Sequence, residues 1–122
     1  HTAPVKCVYG LNESLVIVQE EGLENSWARH HKNHLALRDG LEQLGINFIV
    51  PEQDRLPQLN AVTIPVGVDD ALVRTRLLNE HDLEIGAGLG SLAGKVWRIG
   101  LMGHASSQKN VDFCLKALKS VL

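Results

Sequence analysis

Lys95-Val96-Trp97-Arg98-Ile99-Gly100-Leu101-Met102 decides how the rest of the chain is read. Its β-branched and aromatic residues predict a strand, and successive side chains in a strand face opposite ways. Trp97, Ile99 and Leu101 therefore share one face, and Arg98 shares the other with Val96, Gly100 and Met102. The first face is fit for a core. The second carries a guanidinium that cannot lose its charge and must meet an anion. Gly100 leaves room beside it. Two partners suit the residues equally well: a carboxylate of the same domain, such as Glu84 on the preceding stretch, or the carboxylate of a bound small molecule taken by a two-pronged clamp.

Outward from this strand, elements follow from periodicity and punctuation. Towards the C-terminus, Ser106 or Ser107 caps a last helix with Val111, Leu115, Leu118 and Leu122 on one face. Towards the N-terminus, Gly86, Gly88, Gly90 and Gly94 mark a turn-rich connection, preceded by a short strand at Leu83–Ile85. Asp69 caps a helix reaching Glu80, with Leu72, Val73 and Leu77 inward. Leu59–Val66 predicts a strand with Val62, Ile64 and Val66 on one face, and Ile46–Val50 another, the two separated by a polar loop. A helix over Glu24–Leu44 carries the stripe Trp27, His30, His34, Leu37, Leu41, Leu44. Pro4 opens a first helix, residues 4–21, with Val5, Val8, Leu11, Leu15 and Val18 at helical spacing and Gly22 as its end. Gly10 inside that helix suggests a close helix contact. Strand pairs joined by helices predict an α+β two-layer sandwich, with a three- to four-stranded, mainly antiparallel sheet covered by helices on one side.

Composition excludes several functions. The chain has 122 residues, 44% hydrophobic and 21% charged, room for one domain with one core. A net charge of −2 offers no field to gather nucleic acid or an anionic membrane. No apolar run approaches the about 20 residues of a membrane span. Cys7 and Cys114 have no metal or redox spacing; both are expected as buried, reduced thiols, which points to a reducing compartment.

Two motifs invite chemistry and fall short. Gly86-Ala87-Gly88-Leu89-Gly90 lacks the glycine spacing and the following helix of a dinucleotide loop. His30 and His34 stand one helical turn apart, but zinc wants three or four ligands and no Cys or acidic partner is near. They read as hydrogen-bonded histidines on a packing face, with no metal site.

The run Gly22-Leu23-Glu24-Asn25-Ser26-Trp27 with His30, the pair Glu84-Ile85, the glycine loop through Gly94-Lys95-Val96, and Arg98-Ile99-Gly100-Leu101 together resemble alanine–glyoxylate and serine–pyruvate aminotransferases. His1-Thr2-Ala3-Pro4 resembles that family's opening His-Thr-Pro-Pro or His-Thr-Ile-Pro segment. The likeness spans essentially the whole chain. It implies the C-terminal small domain, residues 1–122, of a fold-type I pyridoxal-phosphate enzyme, with the large cofactor-binding domain absent. It implies that Arg98 binds the substrate carboxylate and that Thr2 contributes to the cofactor phosphate of a neighbouring subunit in a homodimer. Substrates would be an amino acid, alanine or serine, and a 2-oxo acid, glyoxylate or pyruvate.

The family's Schiff-base lysine lies upstream. Lys6, Lys32, Lys95, Lys109, Lys116 and Lys119 do not match it, so no catalytic residue is expected in this segment. The expected compartment is the cytoplasm, with the peroxisome left open. The rival reading is a free-standing α+β module that binds a small carboxylate through Arg98 and regulates a partner without chemistry.

Overall fold

A computed structural model describes residues 3–122. Four helices and three strands follow in the order α1 (Val5–Glu21), α2 (Leu23–Gln43), β1 (Leu59–Thr63), α3 (Asp70–His81), β2 (Gly86–Ala87), β3 (Val96–Gly100) and α4 (Gln108–Val121). β3 is the central strand, antiparallel to β1 on one side and to β2 on the other. Val62 stands opposite Trp97 and Asn60 opposite Ile99, so these four side chains share a face. That face packs into one core with Leu37 and Leu41 of α2, Val73 and Leu77 of α3, and Val111, Cys114 and Leu118 of α4. The expected two-layer α+β sandwich is what forms.

Local chemistry sets the ends of α3 and α4. The Asp69 carboxylate accepts from Leu72 N at 2.7 Å, and Ser107 Oγ accepts from Asn110 N at 3.2 Å. Each cap satisfies a backbone donor that the first helical turn would leave orphaned, worth about 1 kcal/mol. The fully buried Trp97 indole donates to Asp70 Oδ1 at 2.9 Å, tying β3 to the start of α3. The Asp70 carboxyl is held below its usual range, first by its bond to Arg74 and also by this indole.

Several boundaries depart from expectation. Ile46–Val50 is no strand: it contributes an isolated bridge, Phe48 to Val62, with Thr63 N bonded to Asn47 O and Ile49 N to Ala61 O. β1 stops at Thr63 because Pro65 lacks an N–H to extend the ladder, and Val66, expected inward, is wholly exposed at the Pro65–Val68 turn. Leu83–Ile85 is also not a strand. Asp82 ends α3 in the left-handed conformation at φ 52°, and Leu83 N still bonds to Leu77 O, so pairing with β3 begins only at Gly86. Trp27 is 61% exposed, since burial along α2 begins at His30, one turn later.

The first helix forms over the expected span but buries none of its side chains. Val8, Leu11, Leu15 and Val18 are all exposed on it, as are Val5, Tyr9 and Val16. Gly10 faces open space, so no close contact explains it. The tight glycine among the helices is Gly40 of α2, where a Cβ would fall 2.2 Å from Leu115 Cδ1 of α4. Cys7 is exposed, contrary to expectation, because it rides on this uncovered helix. Cys114 is buried, and burial pushes its thiol pKa up to about 11.

Candidate functional site

The sheet face away from the helices holds Arg98 near its centre. Across the ladder Arg98 stands opposite Ala61 of β1 and Gly86 of β2, so two very small neighbours flank it. Its side chain lies along β2. A Cβ built on Gly86 would sit 3.4 Å from each of Arg98 Cβ, Nε and Nη2. Arg98 Nε donates to Ala87 O at 2.8 Å. Nη1 and Nη2 have no hydrogen-bond partner among the described residues, and no buried side-chain nitrogen or oxygen there lacks one, so these groups open to solvent.

The carboxylate partner suggested by the sequence does not form. Glu84 is exposed in the stretch before β2, and Arg98 takes part in none of the ion pairs among the described residues. This half-buried guanidinium commits one N–H to the backbone and keeps four N–H donors, a geometry that can take a planar anion. The space expected beside Gly100 is bordered by Met102 Cε, 3.5 Å from a Cβ placed there. The glycine that shapes the arginine is Gly86, which the sequence reading missed. Its only sequence signal was membership of a glycine-rich run, because cross-strand register is not a local property.

β3 and its exit are fixed by a row of polar side chains on α2. Arg29 Nη1 donates to Gly103 O at 2.8 Å and Ser106 O at 2.7 Å, while its Nε and Nη2 engage both oxygens of Glu21. Bonding to Arg29 holds the Glu21 carboxyl below its usual range. His30 Nδ1 bonds Ser26 O at 2.7 Å and His30 Nε2 accepts from Gly103 N at 3.0 Å, an arrangement that places the ring proton on Nδ1. Asn33 Nδ2 donates to Ser106 Oγ at 3.1 Å. His34 Nδ1 donates to Asn60 Oδ1 at 2.6 Å, and Asn60 Nδ2 donates to Ile99 O at 3.2 Å. His34 is buried, and desolvation draws its pKa below the usual 6.5. Both histidines are thus structural ties, as expected, and His30 has no ring nitrogen left for a ligand.

The expectation is that the Schiff-base lysine lies upstream of this chain, and the described lysines offer no alternative to it. A lysine that forms a Schiff base is activated by desolvation or a cationic neighbour in a pocket. Lys6, Lys32, Lys95, Lys109, Lys116 and Lys119 are all exposed. No side chain described in this chain fits the role of holding the cofactor's aldehyde. Thr2, the expected phosphate contact, lies outside the described residues. No described helix is long and apolar enough to cross a membrane.

Comparison with known proteins agrees with this picture. No family model matches the chain. The whole chain is 40% identical to an alanine–glyoxylate aminotransferase of Rattus norvegicus and 38% identical to the (S)-ureidoglycine–glyoxylate transaminase of Bacillus subtilis, spanning 30% and 29% of their lengths. The solved alanine–glyoxylate aminotransferase of Nostoc sp. superimposes with a TM-score of 0.96 at 50% identity, over 99% of this chain and 32% of that one. In sequence and in fold, the chain is a homologue of the glyoxylate aminotransferases and corresponds to about a third of their length.

Proposed function

We propose that residues 1–122 are the small domain of a pyridoxal-phosphate aminotransferase, in which Arg98 receives the substrate carboxylate. The full protein would move an amino group from alanine or serine to glyoxylate or pyruvate, acting as a homodimer. The cofactor lysine belongs to a large domain outside this chain, and Thr2 is assigned to the cofactor phosphate of the neighbouring subunit. The compartment assigned to the full protein is the cytoplasm.

The observation that carries the reading is the state of Arg98. Its Nη1 and Nη2 groups lie open on the uncovered sheet face, without an internal anion. Donor and acceptor of such a reaction share only an α-carboxylate and its neighbouring carbon. One fixed guanidinium that grips the carboxylate therefore orients both substrates in turn. The rest of this chain supports the grip. Ala87 O sets the arginine's direction, β1 and β2 hold β3 on both sides, and the α2 side chains pin the turn that follows β3.

Kinetics of the full-length protein test this. Arg98→Ala should lower kcat/KM for both the amino acid and the 2-oxo acid. Losing a desolvated charge partner costs about 2–5 kcal/mol, or roughly 30- to several-thousand-fold. Arg98→Lys keeps the charge but loses the fork and should also be poor. Near-normal efficiency of both variants with alanine and glyoxylate would reject the assignment.

A further inference from the structure

We propose that Gly86 is a positioning residue for Arg98, and that it sets which edge of the guanidinium meets the carboxylate. The inference rests on the carboxylate-binding role proposed above for Arg98.

A guanidinium can take a carboxylate along two edges, one made by Nε and one Nη, the other by the two Nη groups. In this chain the first edge is already used, since Nε donates to Ala87 O at 2.8 Å. That bond lays the side chain flat across β2, over a residue 86 that has no side chain to displace it. A Cβ there would touch Cβ, Nε and Nη2 of Arg98 together, each at 3.4 Å. One methyl group is just accommodated at that distance. Anything larger must push the guanidinium off β2, break the bond to Ala87 O and release the Nε edge. The ligand edge is therefore Nη1 with Nη2, and Gly86 keeps it so.

Conformation does not account for the glycine. Gly86 has no positive φ, so an L-residue suits its backbone. Core packing does not account for it either, because residue 86 pairs with Arg98 and projects to the open face. A β-branched side chain at 86 would suit an edge strand and leave the core untouched.

The test uses full-length Gly86→Ala, Gly86→Val and Arg98→Ala, each assayed with alanine and with ethylamine, which lacks the carboxylate. The readout is the ratio of kcat/KM for the two amines, which a general folding defect does not move. Gly86→Ala should keep the ratio within about threefold of the unaltered protein. Gly86→Val should lower it about tenfold or more through KM for alanine, with kcat at saturation little changed, as expected for misaligned ground-state binding. An unchanged ratio in Gly86→Val, with a collapsed ratio in Arg98→Ala, overturns the role of Gly86 alone. An unchanged ratio in Arg98→Ala overturns the carboxylate reading itself. If Gly86→Val does not accumulate as folded protein, Gly86→Leu is assayed in its place against the same ratio.

Discussion

Replacing Gly88 by alanine should be among the most damaging single-methyl changes available in this chain. Gly88 follows β2 and is buried where the loop towards β3 folds back on itself. A Cβ on it would lie 2.0 Å from Leu92 O, 2.6 Å from Leu92 C and 2.9 Å from Val96 Cγ2. Two of those atoms are backbone, so no rotamer change relieves the clash. The turn itself must move. Two backbone bonds are at stake, Gly88 N to Val96 O at 2.9 Å and Lys95 N to Leu92 O at 3.1 Å. Overpacking costs about 1–3 kcal/mol and each lost bond about 1 kcal/mol, giving about 3–5 kcal/mol together. Domains of this size hold only about 5–15 kcal/mol, so the loss is severe. Gly88 has no positive φ, which makes the effect purely steric. Gly10→Ala is the matched control, because nothing lies within 4 Å of its Cβ and the helix interior gains roughly 1 kcal/mol from alanine. Urea unfolding of the 122-residue chain should show the Gly88→Ala midpoint falling by more than about 1 M while that of Gly10→Ala does not fall. Equal midpoints for the two variants would refute the steric reasoning.

The remaining expectations concern pH and surface. His34 has a native pKa drawn below 6.5 by burial, so the unfolded chain binds its proton first as pH falls. Stability should be full above about pH 6.5 and decline as pH drops through the lowered native value, by at most about 1.4 kcal/mol per pH unit. His34→Gln should flatten that slope in urea midpoints taken between pH 7 and pH 5, and an unchanged slope would remove His34 as its source. The uncovered first helix should drive self-association of the 122-residue chain, since exposed apolar patches of that kind mark contact surfaces. Sedimentation should show Leu11→Glu with Leu15→Glu abolishing it; a wild-type chain that stays monomeric at high micromolar concentration would contradict this.

Most of the layer structure was legible because it is local. Asp69 and Ser107 announce their helices by cap chemistry, and both caps form. The alternation that sends Trp97 and Ile99 inward and Arg98 outward is a property of one strand and needs no partner. What failed depends on contacts far along the chain. The first helix shows what an apolar stripe needs to cover, not whether a cover is present. β1 ends where Pro65 ends it, not where its apolar residues do. Of the two partners the sequence offers Arg98, Glu84 does not reach it, because register sets Gly86 and Ala87 beside the arginine instead.

The histidines of α2 show why a bland reading and a functional one can converge. As packing residues they are ordinary, but what they pack is the route of the chain around the candidate site. His34 reaches β1 through Asn60, which in turn bonds the carbonyl of Ile99, next to Arg98. His30, Arg29 and Asn33 hold the turn from Gly103 to Ser106, a few residues beyond it. β3 is thereby held by one helix just after the arginine and again at the turn that follows the strand. Seen this way, the Ser26–His30 stretch and the Arg98 stretch, separate in sequence, are two halves of one mechanical unit. On the role proposed for Arg98, loosening the α2 ties, as in Asn33→Ala, should raise KM for alanine in the full-length protein before it unfolds the domain, because such a clamp works only while its strand is held in place.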